Sequence, residues 1–146
     1  MKTELMKIIN IILKEKSCTQ TEIAKILGVD QPKVSCIKNL HTFGFSLPRL
    51  LSFLLKLEYD TDLEVNNLTT IKVDSNTKLE LIHLIKDIIA KHSLSQNKAA
   101  TLMQIDQPKV SRINRLRTDL ISLELLLTLL VRMGCKIEFV VTKSAS

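Results

Sequence analysis

Thr19-Gln20-Thr21-Glu22-Ile23-Ala24-Lys25-Ile26-Leu27-Gly28-Val29-Asp30-Gln31-Pro32-Lys33-Val34-Ser35 carries two helix starts and one helix stop in close succession. Thr19 with Glu22 three residues later is a capping box, in which each side chain satisfies a backbone N–H at the helix start. The helix it opens runs through Ile23, Ala24, Ile26 and Leu27. It stops at Gly28, because glycine enters the left-handed conformation with least strain. Asp30 caps the next helix, with Pro32 in the first turn, where a missing N–H costs nothing. Val34 and Ile37 point inward from it. The stretch therefore predicts two short helices, 20–27 and 31–40, joined by the three-residue turn Gly28-Val29-Asp30.

The same stretch occurs twice. A displacement of 76 residues aligns 2–65 with 78–141 without a gap, with about 22 of 64 positions identical. Asp30-Gln31-Pro32-Lys33-Val34-Ser35 recurs unchanged as Asp106-Gln107-Pro108-Lys109-Val110-Ser111. Two copies are too few for a solenoid. They point instead to a fused dimer, one chain imitating the symmetry that two chains would supply. The expected organisation is a first domain over 1–65, a linker over 66–76 and a second domain over 77–142. The second copy opens its short helix at Ser95 but has Gln104 where Gly28 stands. That exchange costs about 1 kcal/mol if the backbone is still left-handed there.

Working outward, Leu5, Ile8, Ile9 and Ile12 share one face of a predicted first helix over 3–16. Leu81, Leu84, Ile85 and Ile88 match them, behind a predicted capping box of Thr77 with Glu80. Met6 and Ile11 are extra apolar residues, for an interface or for a thicker core. A fourth helix starts at Ser46 and carries Leu47, Leu50, Leu51 and Leu54. Its counterpart carries Leu123, Leu126, Leu127 and Leu130. Asp62–Val65 and Lys136–Val141 alternate as strands do. A lone strand is unstable, so the two are expected to pair with each other. The linker has room for one more strand at Thr69–Val73.

Composition sets the outer limits. The chain has 146 residues, 45% hydrophobic and 25% charged, with three glycines and three prolines. That excludes disordered and collagen-like classes. No uncharged run approaches the ~18 residues of a membrane-spanning helix, and Glu4 in Met1–Asn10 argues against a secretory signal. Cys18, Cys36 and Cys135 are odd in number and form no CxxC pair. His41, His83 and His92 have no metal-ligand spacing. The expectation is a cytoplasmic, nucleoid-associated protein with no disulfide, metal, cofactor or membrane partner. The net charge of +6 favours polyanions weakly.

Two short helices with a three-residue turn make a helix-turn-helix, the unit that reads duplex DNA. Ala24 and Ala100 lie where its helices cross and let them approach. Val34 and Ile37 then fix the second helix so that its N-terminal end projects outward, toward a major groove wide enough for one α-helix.

The stretch from Thr19 to Ser35 resembles the helix-turn-helix of XRE/Cro-type repressors. Phe45-Ser46-Leu47-Pro48-Arg49-Leu50-Leu51 and the terminal strand narrow the likeness to the HigA-like branch. The resemblance covers nearly all of each copy. It implies a mainly α fold, two tandem lambda-repressor-like domains arranged as a pseudo-dimer, with short C-terminal β-strands pairing between the copies. It also implies operator binding. HigA-like proteins are often antitoxins that bind a ribonuclease toxin and repress their own operon. This chain departs from the pattern in carrying two modules, and in having Glu58 where the second copy has Gly134.

Gln31 and Gln107, at the exposed start of the reading helix, have the amide that pairs with adenine N6 and N7. The alternative is a helix-start residue touching only water. Pro32 and Pro108 offer a thymine methyl an apolar contact, or serve only as first-turn prolines. Lys33 and Lys109 reach phosphate or guanine, or are merely solvated lysines. Ser35 and Ser111 sit on phosphate or on neutral helix surface. Cys36 matches Arg112, which can grip guanine O6 and N7; the cysteine cannot. Gln20 and Gln96 open the preceding helix, where free backbone N–H groups suit a phosphate. Lys38, Arg115 and Arg117 complete the phosphate-binding set.

Charge is uneven between the copies. Residues 1–76 hold 10 Lys/Arg and 9 Asp/Glu, a net +1, whereas residues 77–146 hold 11 and 6, a net +5. The two modules are thus expected to read unlike half-sites about 34 Å apart, one turn of DNA, with the second contributing more affinity. No glycine-rich phosphate loop, HExxH or nucleophile signature supports an enzyme. The sequence leaves two readings: a double-stranded-DNA-binding transcriptional regulator, a repressor working as a covalent pseudo-dimer, or an antitoxin-like protein that masks a toxin. Further self-association is left open.

Overall fold

The computed structural model describes residues 1–145. The chain forms eight α-helices, a short 3-10 turn and three strands among these residues. It divides into two compact units. One comprises Met1–Thr61 with the segment from Val141 onward, and the other Asp62–Val140.

The first unit holds α1 (Lys2–Glu15), α2 (Gln20–Leu27), α3 (Gln31–Lys38) and α4 (Leu47–Lys56). Each of the last three begins where a side chain satisfies the N-terminal turn: Thr19, Asp30 and Ser46 accept from the backbone N–H of Glu22, Lys33 and Arg49. The Thr19–Glu22 capping box is reciprocal, and Gly28 ends α2 at φ 69°. α1 packs on α3 and α4, and α2 on α3. Leu5, Met6, Ile9, Ile12 and Leu13 are buried along α1, so the stripe is wider than the sequence pattern and takes in Met6. Ile8 is only half-buried, and Ile11 is 58% exposed. Leu47, Leu50, Leu51, Phe53 and Leu54 close the core from α4, each such burial contributing roughly 1.5–3 kcal/mol.

The second unit repeats the plan with α5 (Thr77–Lys91), α6 (Gln96–Met103), α7 (Gln107–Asn114) and α8 (Leu123–Arg132). Ser95, Asp106 and Ser122 cap the last three. Gln104 ends α6 at φ 58°, left-handed despite its side chain. Glu58 and Gly134 are likewise matched, at φ 68° and 90°, just after α4 and α8. The expected Thr77–Glu80 capping box does not form. Thr77 is buried inside the helix, and its hydroxyl accepts from the Asp74 N–H at 2.7 Å while facing the carbonyls of Lys72 and Asp74. Asn76 holds the cap position without a side-chain bond. The end of the preceding strand and the bend after it decided this, because Lys72 and Asp74 bring their own backbone groups to the threonine.

β1 (Tyr59–Val65), β2 (Thr69–Lys72) and β3 (Ile137–Lys143) form one sheet in the order β2-β1-β3. The matching strands of the two repeats, β1 and β3, are therefore neighbours. β2 realises the extra strand within 66–76. β1 and β2 are antiparallel, with Leu63 opposite Ile71. Asn66 and Asn67 turn between them at φ 56° and 58°, as a primed hairpin turn requires. Within the second unit, the Asn66 N–H donates to the Lys136 carbonyl at 2.8 Å, and the Lys136 N–H to Asn66 Oδ1 at 2.7 Å. Within the first, the Ser144 N–H donates to the Glu58 carbonyl at 2.9 Å.

Candidate nucleic-acid interface

α3 and α7 are anchored by the same two side chains on one face. Val34 and Ile37 in the first, Val110 and Ile113 in the second, are at most 2% exposed. On an eight-residue helix that fixes which side is left to solvent. Gln31, Pro32 and Lys38 are exposed on α3, with Lys33, Ser35 and Cys36 half-buried. Gln107, Pro108 and Arg112 are exposed on α7, with Lys109 and Ser111 half-buried. Gln20 and Gln96 are exposed at the first positions of α2 and α6. Every residue named from the sequence for base or phosphate contact thus keeps solvent-facing atoms.

The amides at the start of the reading helices are oriented. Gln31 Nε2 donates to Thr21 Oγ1 at 3.5 Å. In the second unit Gln107 Nε2 donates to Asn97 Oδ1, from the matching position of α6. A carboxamide nitrogen has two hydrogens and its oxygen two lone pairs. Each glutamine can thus be held by its neighbour and still offer a donor and an acceptor outward, as adenine requires.

Two further positions were not legible as functional. Lys56 Nζ donates to the Leu27 carbonyl at 3.1 Å, and Arg132 Nη1 to the Met103 carbonyl at 2.8 Å. These residues match at the displacement of 76, and each ties the last turn of the fourth helix to the open end of the helix before the turn. Asn10 Nδ2 donates to the Ile37 carbonyl at 2.8 Å, and Lys86 Nζ to the Asn114 carbonyl at 3.3 Å, pinning the far ends of α3 and α7. The sequence signal was present: a donor recurs at both matched positions, but its carbonyl partner shows only in three dimensions.

The cations differ between the units. Arg112 and Arg115 are exposed and form no ion pair among the described residues. Arg117 is tied to Asp119 by two hydrogen bonds, of 3.1 and 2.9 Å. Those bonds hold the Asp119 carboxyl below its usual range and push the guanidinium of Arg117 further up. A phosphate at Arg117 must therefore compete with Asp119, a neighbour the sequence reading missed. The Ser35 hydroxyl accepts from Asn39 Nδ2 at 3.3 Å, and Arg115 stands at the position matching Asn39 in the second unit. Cys36, where α7 has Arg112, is a half-buried free thiol.

Two capped helices, a left-handed turn and a solvent-facing helix start, built twice, define a tandem helix-turn-helix protein. The chain belongs to the helix-turn-helix domain family, whose model matches residues 1–66 and again residues 71–142. Such domains imply a DNA-binding regulator and are typically non-enzymatic. No curated protein and no solved structure matches the chain. No helix among the described residues is long and apolar enough to cross a membrane.

Proposed function

We propose that the protein is a sequence-specific transcriptional repressor whose two modules read unlike half-sites in adjacent major grooves. The carrying observation is the paired exposure of Gln31-Pro32 and Gln107-Pro108 at two helix starts, each followed by a half-buried lysine, Lys33 or Lys109, and set on a base of buried residues. The shared amide and lysine suit the same bases in both half-sites. Arg112 against Cys36 makes the half-sites unlike, since only arginine can grip guanine at that position. Gln20, Gln96, Ser35, Ser111, Lys38, Arg115 and Arg117 supply phosphate contacts, which fix register without reading sequence. Having both modules on one chain makes the second binding event intramolecular, so affinity follows without a second subunit.

In vitro selection of bound duplexes followed by footprinting tests this. The expected product is an imperfect palindrome with half-site centres about one helical turn apart. A bound population with no enriched motif would reject sequence-specific reading. A single protected half-site would reject the use of both modules.

A further inference from the structure

We infer that a cleft on the first module, between α1 and the far end of α3, binds a small amphipathic anion and that occupancy loosens the DNA contact of Lys38. The second part rests on the DNA-binding reading above; the first does not. The cleft has a volume of about 820 Å³, within the range of small-molecule sites. Ile11, Leu13, Ile23 and Leu40 supply apolar wall. Ile11 leaves 58% of its surface in water, an exposed aliphatic residue in the middle of a polar helix face. Lys7, Lys14 and Lys38 also line the cleft, and no carboxylate does. All three lysines are exposed, and none forms an ion pair among the described residues. Three unpaired ammonium groups around an aliphatic wall complement an anionic head on an apolar body, not a neutral or cationic ligand.

The duplication supplies an internal control. At the matching positions the second module has His83, Asp87, Ala90 and Asn114 for Lys7, Ile11, Lys14 and Lys38. Lys86, in place of Asn10, lies across to the Asn114 carbonyl. The shared scaffold therefore does not require the lysines or the exposed isoleucine. The second module concentrates its cations on and after its reading helix. The first places three around this cleft. Lys38 belongs to both the cleft and the end of α3, and the cleft residue Asn10 holds the carbonyl of Ile37 beside it. An anion seated there draws Lys38 from phosphate.

The test uses the full chain and 1-anilinonaphthalene-8-sulfonate, an apolar body with one anionic head, followed by fluorescence. Decanoate should displace it, whereas decanol and inorganic phosphate should do so poorly. The double variant Lys7→Ala/Lys14→Ala, by loss of charge-assisted contacts, and the variant Ile11→Asp, which copies the second module, by loss of apolar wall and repulsion of the anion, should each weaken binding about tenfold. Circular dichroism should remain unchanged in both. Decanoate should also weaken binding to the selected duplex, and Lys38→Ala should abolish that effect. Absent saturable binding, or binding indifferent to both variants, overturns the site. Displacement by phosphate as effective as by decanoate reassigns the lysines to a bare phosphate-contact surface and overturns it equally. Anion binding that leaves duplex affinity unchanged overturns the coupling. Anion binding with no enriched duplex motif leaves the site standing and removes the DNA reading alone.

Discussion

Single residues make the two modules unlike. Arg112 faces solvent where Cys36 is half-buried. Arg112→Ala should flatten base preference at one position of one half-site, costing about 1–3 kcal/mol, whereas Lys38→Ala should weaken all duplexes alike and lower the salt slope by about one. Titrations of matched and mismatched duplexes at several salt concentrations separate the two. Equal effects on all sequences from both changes would argue against base reading by Arg112. Gln104 illustrates a residue-scale cost unrelated to DNA. It occupies the left-handed cap position at φ 58°, where the first module has Gly28 at 69°. Gln104→Gly should stabilise the protein by up to about 1 kcal/mol, read as a raised urea midpoint at constant slope.

Elements are held by their ends. The Thr19 N–H donates to the Glu22 carboxylate at 3.1 Å, and the Glu22 N–H donates to Thr19 Oγ1 at 3.2 Å. The backbone and side-chain hydrogen bonds of Thr19 lower the Glu22 pKa from its ordinary value. A carboxylate lowered in the folded state adds stability above its unfolded pKa, and that stability is lost as pH falls through the folded value. Glu22→Gln should thus be less stable than the parent near neutrality, with the difference closing in acid below the ordinary glutamate range. Urea titrations across pH check this, and a pH-independent difference would refute the cap as its source. The second module has Lys98 at this position and no carboxylate to close the box. Lys56 and Arg132 act at the opposite ends, each donating to a terminal carbonyl of the helix before the turn. Both ends of α2 and of α6 are thereby fixed, which sets the angle at which the reading helix leaves the turn.

At the scale of the whole molecule, the two repeats do not coincide with the two units. The first unit includes the segment from Val141 onward, and the second begins at Asp62, within β1. Chain from each repeat therefore completes the other's unit. Removing residues 136–146 takes away β3, the neighbour of β1. It removes hydrogen bonds to Glu58 in the first unit and Asn66 in the second. The truncation should destabilise both units, by about 2 kcal/mol or more from lost hydrogen bonds and apolar cover. Hydrogen exchange that loosens only α5–α8 while α1–α4 keep their protection would contradict this.

The sequence by itself determined the repeat, the starts and caps of the helices around the turn and the identity of the outward residues, although α3 ends at Lys38, two residues short of the expected Leu40. These are local matters: capping, glycine conformation and apolar spacing act within a few residues. Asp30, Gly28, Val34 and Ile37 needed no distant partner to be read. Tertiary structure decided the rest, because its determinants are groups far apart in the chain. The carbonyls of Leu27 and Ile37 receive donors from Lys56 and Asn10. Thr77 left its expected cap for the backbone of Lys72, at the end of β2, and of Asp74 just beyond it. The cleft beside α3 exists because two helices and a turn meet there, a meeting that no periodicity along a single helix records.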